Sequence, residues 1–396
     1  MFLANKKEEI NFPNLIKEIL NFISNYYRLI LTTNTSSFNS KIEDKTLENL
    51  LSQKPNFQND EPTPIDLFPE LYLALGSESS RIASSFLSNF SFSEREGLIQ
   101  ILKKFGQPLF LGEETGILTL NYESGMLYNV NESWLNLMQN NEPKILIFVD
   151  SIDGSKRMEE ALHQGKKTLE NSIKSLLNEK PEYKIITNSP STGITIIYDN
   201  QIIFSIGLNL FTGEAIGSYY DGKKLIPFYI TNILDFSNIA DLQIPYFSSA
   251  NGLNCLCYNG NKGYSNGDYK KNLENTGFSG LTISCGYPTG PLRIAYLSNN
   301  EAIVQISASN REKIHDIGNL LAIAIASEDL RVFISSQQTN PPITLINTEG
   351  KIYIAVLSKL EDPRNARATF ATYHRNNHEA DDFFNTLNQQ KKGYFI

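Results

Sequence analysis

The feature that most constrains this chain is an apolar run, Lys144 to Val149 (KILIFV), which ends without a break in Asp150-Ser151-Ile152-Asp153-Gly154-Ser155. The run is too short and too rich in branched residues for a helix, so it reads as a buried strand. Carboxylates placed together at the end of such a strand repel one another and lose hydration. A cation is needed to offset that cost. Magnesium is the natural candidate, because it takes hard oxygen ligands and keeps waters and phosphate oxygens in its shell. Gly154 lets the backbone turn sharply. The amides of Gly154 and Ser155, opening onto a helix-like segment, form an anion site of the kind found at helix N-termini. Metal and amides together would hold a phosphate.

Two further acidic positions follow the same rule of sitting at the end of an apolar element. The run Pro108 to Leu111 ends in Gly112-Glu113-Glu114-Thr115, and Asp316 opens the apolar helical stretch to Ser327 (DIGNLLAIAIAS). Each has an ordinary explanation by itself: a turn and helix cap at 150–155, a charged loop at 113–114, an N-cap at 316. Their specificity lies in occurring together and in this order.

The rest of the chain alternates between helical and extended patterns. Residues 14–32 space their apolar side chains for an amphipathic helix, 33–65 read as a polar loop with a short helical piece, and a helical pattern resumes over 66–88. Another helix is expected over 94–105, with Ser93 as its N-cap. A hairpin-like stretch follows Thr115, and 156–180 reads as a solvated helix. Strands are expected at 193–198, 201–208 and 214–219, with Asp199-Asn200 turning the first pair. The stretch 221–290 is loop-rich, which places a domain boundary near 235 between an N-terminal unit (1–235) and a smaller one (236–396) contributing Asp316. Strands at 292–297, 302–307, 331–335, 342–346 and 351–357 precede a polar tail.

Composition narrows the function class. Lys and Arg number 35 against 43 Asp and Glu, a net charge of −8, so no basic footprint for nucleic acid or an anionic membrane is present. Bound cations can nevertheless reverse the field locally for an anionic substrate. Three cysteines, Cys255, Cys257 and Cys285, are too few for a disulfide framework, and the first two are too close for a metal knuckle. The N-terminus lacks a signal-peptide core, and no run of about 18 apolar residues suggests a membrane span. The expectation is a cytoplasmic protein without membrane or nucleic-acid partners.

The combination of Gly112-Glu113-Glu114, the strand into Asp150–Ser155 and the late His315-Asp316-Ile317-Gly318-Asn319-Leu320 resembles the lithium-sensitive phosphatase superfamily. That superfamily includes inositol monophosphatase, inositol polyphosphate 1-phosphatase and fructose-1,6-bisphosphatase. The resemblance spans roughly 90–335, with 193–224 similar to the family's paired strands and Thr289 to Arg293 at its small-residue strand entry. It implies an α/β fold, a layered αβαβα sandwich with an antiparallel N-terminal sheet and a smaller mixed C-terminal sheet. It also implies a magnesium-dependent phosphate monoester hydrolase acting on a small phosphorylated polyol, an inositol (poly)phosphate or related sugar phosphate. The alternatives are a 3′-phosphoadenosine-type nucleotidase and a catalytically silent relative that binds metal or phosphate in a regulatory role.

Carried over residue by residue, the resemblance assigns Glu113, Asp150 and the Ile152 carbonyl to a first metal ion. It assigns Asp150, Asp153 and Asp316 to a second, and Glu114 to a weaker third ion or to orienting the site. Gly154 and Ser155 would meet the substrate phosphate, and the Ser155 hydroxyl would bond the attacking water. Two or three magnesium ions are implied. Ser151 stands where the family has proline, and His315 where it has tryptophan. The family's base aspartate has no counterpart: its place reads Leu87-Ser88-Asn89-Phe90-Ser91-Phe92-Ser93, leaving Asp60 or Asp66 as substitutes. Lys262, Lys270, Lys271 and Arg293 are the candidate cations for a second phosphate.

Overall fold

The computed structural model describes residues 10–36, 64–76, 96–120, 127–129, 145–184, 189–245, 247, 255–258, 281–284, 306–313, 326–335, 345–348, 351–354 and 367–396. Helix α1 (Phe12–Thr32) opens on Asn11, whose side chain accepts from the Asn14 amide at 3.2 Å. Its buried face runs Leu15, Ile16, Ile19, Leu20, Ile23, Tyr26, Tyr27 and Ile30, the spacing expected of a helix lying on a core. Helix α2 (Pro64–Leu75) packs on α1 and on β4 (Ile145–Asp153). It covers the start of the expected 66–88 pattern, and 77–95 lie outside the described residues.

Helix α3 (Leu98–Leu102) is shorter than expected and passes into a 3-10 turn over Lys103–Phe105. Its N-cap is Gly97, without a side-chain cap bond, in place of Ser93. Glu96 is held extended by a bridge to Gly76, so the helix cannot begin at 94. A Cβ on Gly97 would lie 2.4 Å from the Leu75 backbone, which shows how closely the two segments cross.

The larger sheet among the described residues has ten strands. Its path includes β1 (Pro108–Gly112), β2 (Gly116–Leu120), β3 (Leu127–Asn129), β4, β5 (Ser191–Tyr198) and β6 (Gln201–Asn209), with β7 (Ala215–Tyr220) and β8 (Leu225–Ile230) beyond β6. Pairing is antiparallel except between β1 and β4, which run parallel. The β5–β6 hairpin turns on Asp199 (φ 52°) and Asn200 (φ 64°), the left-handed pair that a tight hairpin requires. A second hairpin, β13 (Leu345–Thr348) and β14 (Lys351–Ile354), adds to this sheet where Tyr353 pairs with Gln201. The larger sheet therefore draws strands from both sides of residue 235.

The segment 156–180 is two helices, α4 (Ser155–Leu162) and α5 (Leu169–Glu179), and it is only partly solvated. Met158, Ala161, Leu169, Ile173 and Leu176 are buried, because α5 packs on both α1 and α4.

The smaller sheet has six described strands in the order β10-β9-β11-β15-β12-β16. These are β9 (Cys255–Tyr258), β10 (Leu281–Ser284), β11 (Ile306–Lys313), β12 (Leu330–Ser335), β15 (Arg367–His374) and β16 (Gly393–Phe395). The strand expected at 302–307 is described only from Ile306 onward, as β11, and the 292–297 expectation lies outside the described residues. The C-terminal residues are not a polar tail: β15, α6 (His378–Gln389) and β16 close the sheet over a core of Phe333, Tyr373, Ala380, Phe384 and Leu387. No described helix is long and apolar enough to cross a membrane.

A polar cluster ties α6 to that sheet. The Arg331 guanidinium pairs with Asp381, Tyr373 donates to the same carboxylate at 2.8 Å, and Asn385 donates to it at 3.2 Å. Burial disfavours the charged form of Asp381, but the Arg331 and Tyr373 bonds outweigh it and hold the carboxyl below its ordinary value of 3.8. A depressed carboxyl stabilises the fold above the ordinary value and loses that contribution as pH falls through the folded value. Thermal unfolding should therefore show wild type more stable than Asp381→Asn at pH 6, with the gap closing steadily below about pH 4. A gap independent of pH would mean that the charge contributes nothing.

Candidate functional site

The parallel pairing of β1 with β4 builds the site. Gly112 lies opposite Val149, and the Glu113 amide donates to the Val149 carbonyl at 3.1 Å. Glu113 and Asp150 therefore leave neighbouring strands at the same C-terminal edge. Outside the carboxyl ends of strands is where open α/β sheets place ligands.

The β4–β5 register explains how Asp153 joins them. Asp150 pairs with Gly193 and Asp153 with Ser191, so β4 advances by one residue more than β5. That bulge resets the alternation of side chains. A regular strand would place Asp150 and Asp153 on opposite faces, and the register shift between them breaks that regularity. The strand thus runs through the motif to Asp153, beyond its expected end at Val149. Asp150 is 8% exposed, and Ile152 beside it is buried. Gly154 follows at φ 92°, a left-handed turn suited to glycine, and opens α4. The Ser155 hydroxyl donates to the Ile152 carbonyl at 3.2 Å.

Beneath the motif the Ser151 carbonyl is held twice. Thr192 donates to it at 2.7 Å and the Tyr26 phenol at 3.2 Å, which anchors β4 to both β5 and α1. Burial pushes the Tyr26 phenol far up, and the Asp150 and Glu70 carboxylates add to the rise. Tyr26 is thus a neutral donor within electrostatic reach of both acids.

Glu70 is the residue that sequence reasoning missed. It lies on α2, is fully buried, and accepts from the Glu114 amide (3.0 Å to Oε1, 3.1 Å to Oε2), the Thr115 amide (2.6 Å) and the Thr115 hydroxyl (2.6 Å). A Cβ on Gly112 would lie 1.8 Å from Glu70 Oε1, so any side chain there would displace the Glu70 carboxyl. Burial pushes the Glu70 carboxyl up, to about 8; the Thr115 hydroxyl and the two amides oppose the rise, and the Glu114 charge adds to it. The signal for it in the sequence was an acidic side chain set between apolar neighbours in Pro64 to Leu75, a helix that also carries Asp66.

The backbone thus places Glu113 and Glu114 just beyond the end of β1 and Asp150 to Ser155 along the end of the neighbouring β4. Asp316 and His315 lie outside the described residues, as do Asp60, Lys262, Lys270, Lys271 and Arg293. Among the described residues, no three or more His, Cys, Asp or Glu side chains stand close enough to hold a metal ion. The donor chemistry, hard carboxylate and carbonyl oxygens at a strand end, suits magnesium. The described carboxylates do not close a cage without a further ligand.

No protein-family model matches the chain, and no curated protein matches it by sequence. Solved structures do match. SuhB of Mycobacterium tuberculosis is 10% identical with a TM-score of 0.41, covering 98% of this chain and 99% of that one. CysQ of Bacteroides thetaiotaomicron, a bacterial member of the inositol monophosphatase family, is 12% identical with a TM-score of 0.41, covering 90% and 99%. Staphylococcal IMPase-II with 2′AMP bound is 10% identical with a TM-score of 0.43, covering 95% and 96%.

Proposed function

We propose that this chain is a magnesium-dependent phosphate monoester hydrolase acting on a small phosphorylated polyol, an inositol (poly)phosphate or related sugar phosphate. The observation that supports the reading is the placement of Glu113 and Asp150 at neighbouring positions of the paired strands β1 and β4, with the register of β4 shifting between Asp150 and Asp153. Glu113, Asp150, the Ile152 carbonyl, Asp153 and Asp316 would hold the ions, with Glu114 at their margin. When bound, magnesium supplies an acidified water and neutralises charge on the phosphate.

The chain's own groups account for the rest. The Gly154 turn leaves the first amides of α4 without a side-chain cap, so they are suited to phosphate oxygens. The Ser155 hydroxyl donates to the Ile152 carbonyl, which leaves its oxygen to accept from the attacking water in this reading. Asp150, buried at the strand end, would offer a hard oxygen ligand to a cation there.

Phosphate release should be measured from a panel of inositol phosphates, sugar bisphosphates and 3′-phosphonucleotides, with magnesium and with EDTA. Release from an inositol or sugar phosphate that disappears in EDTA is expected. Preference for the 3′-phosphonucleotides would move the substrate class to the nucleotidases. No release from any member would favour a silent, binding relative.

A further inference from the structure

We infer that Glu70 is a positioning residue that fixes the direction of the Glu113 carboxylate toward Asp150; this rests on the reading of Glu113, Asp150 and Asp153 as cation ligands. Glu113 lies between two pinned amides. Its own N–H is tied to the Val149 carbonyl of β4 at 3.1 Å, and the next N–H, that of Glu114, is tied to both oxygens of Glu70. Fixing the peptides on either side fixes the Cα–Cβ direction of the residue between them.

The anchor is rigid. Leu67, Phe68, Leu71 and Tyr72 flank Glu70 on α2 and are buried, and α2 packs directly on β4. The loop and the strand carrying Asp150 are therefore referenced to one helix. Every group reaching Glu70 from the loop donates: two amides and one hydroxyl. Oε1 accepts from all three donors and Oε2 also faces the Glu114 amide, so an oxygen is needed at both positions, whereas a carboxamide of equal size would turn an NH₂ toward that amide. Gly112 lies close against the same carboxyl.

The test is a Mn²⁺ titration followed by electron paramagnetic resonance on the full chain, comparing wild type, Glu70→Gln, Thr115→Val and Asp150→Asn, each checked for a cooperative melt. Loss of a group that orients metal ligands costs about 10–100-fold in metal affinity, and Glu70→Gln should weaken Mn²⁺ binding by that factor while remaining folded. A folded Glu70→Gln protein with affinity within twofold of wild type overturns the inference. If Glu70→Gln does not fold, Thr115→Val decides, because it removes one donor to Glu70 and keeps side-chain volume. Weaker binding then supports the inference, and unchanged binding overturns it. Asp150→Asn separates the two readings: if it abolishes Mn²⁺ binding and Glu70→Gln does not weaken it, only the positioning role fails. If wild type binds no Mn²⁺, the cation reading fails and this inference falls with it.

Discussion

Asp150→Asn should lower phosphate release by more than about 100-fold, beyond the 10–100-fold that loss of an outer-shell partner costs, while the protein stays folded. Asp150 lies within the buried run of β4 and is 8% exposed, so a charge there is held where water stabilises it poorly. The amide keeps one neutral oxygen but loses the charge that would bridge two cations. Removing an acidic charge next to Asp153 and Glu113 relieves repulsion, so the melting temperature should hold or rise. Steady-state assays beside thermal melts would check both parts. Retention of more than a tenth of wild-type activity would refute the bridging role.

The second large effect concerns the strand itself. Phe148 is fully buried, with Leu111 on β1 and Thr195 on β5 as its paired neighbours. Phe148→Ala removes a large side chain from a site hemmed in on both sides, so collapse around the void is limited. The expected loss is about 3–5 kcal/mol in urea unfolding, a large share of the roughly 5–15 kcal/mol typical of a domain. Ile244, 77% exposed, is the internal control: Ile244→Ala should change stability by less than about 0.5 kcal/mol. Similar effects at both positions would show that β4 is not central to the core.

How much of this was legible in the sequence follows the physics of each element. The apolar run before Asp150, the α1 stripe and the Asp199-Asn200 turn are local patterns, and each formed where its periodicity or turn chemistry placed it. The bulge between Asp150 and Asp153 leaves no periodic trace, because an extra residue shows only against a partner strand. Strand β8 falls in the stretch read as loop-rich for its Gly, Asn and Pro; its one strand partner is β7, with a single bridge from Tyr229 to Gln243 on the other side, so Pro227 is tolerated. Helix α6 was read as tail because its buried residues, Ala380, Phe384 and Leu387, are few among acidic and amide neighbours.

The site shows the same division. The Glu113 and Asp150 positions were legible because each carboxylate ends an apolar run. Glu70 was not, because its role depends on hydrogen bonds to residues 44 and 45 positions away. The resemblance points to an acid near residues 87–93, with Asp60 or Asp66 as substitutes, and both 87–93 and Asp60 lie outside the described residues. Glu70, on the same helix as Asp66, is the buried acid that meets the loop.

The central claim, that this strand edge binds divalent cations, is tested most directly by calorimetric titration of the full chain with magnesium. Saturable binding of two or more ions, lost in Asp150→Asn, is the expected result. Absence of saturable binding in wild type, together with phosphate release that persists in EDTA, would contradict it.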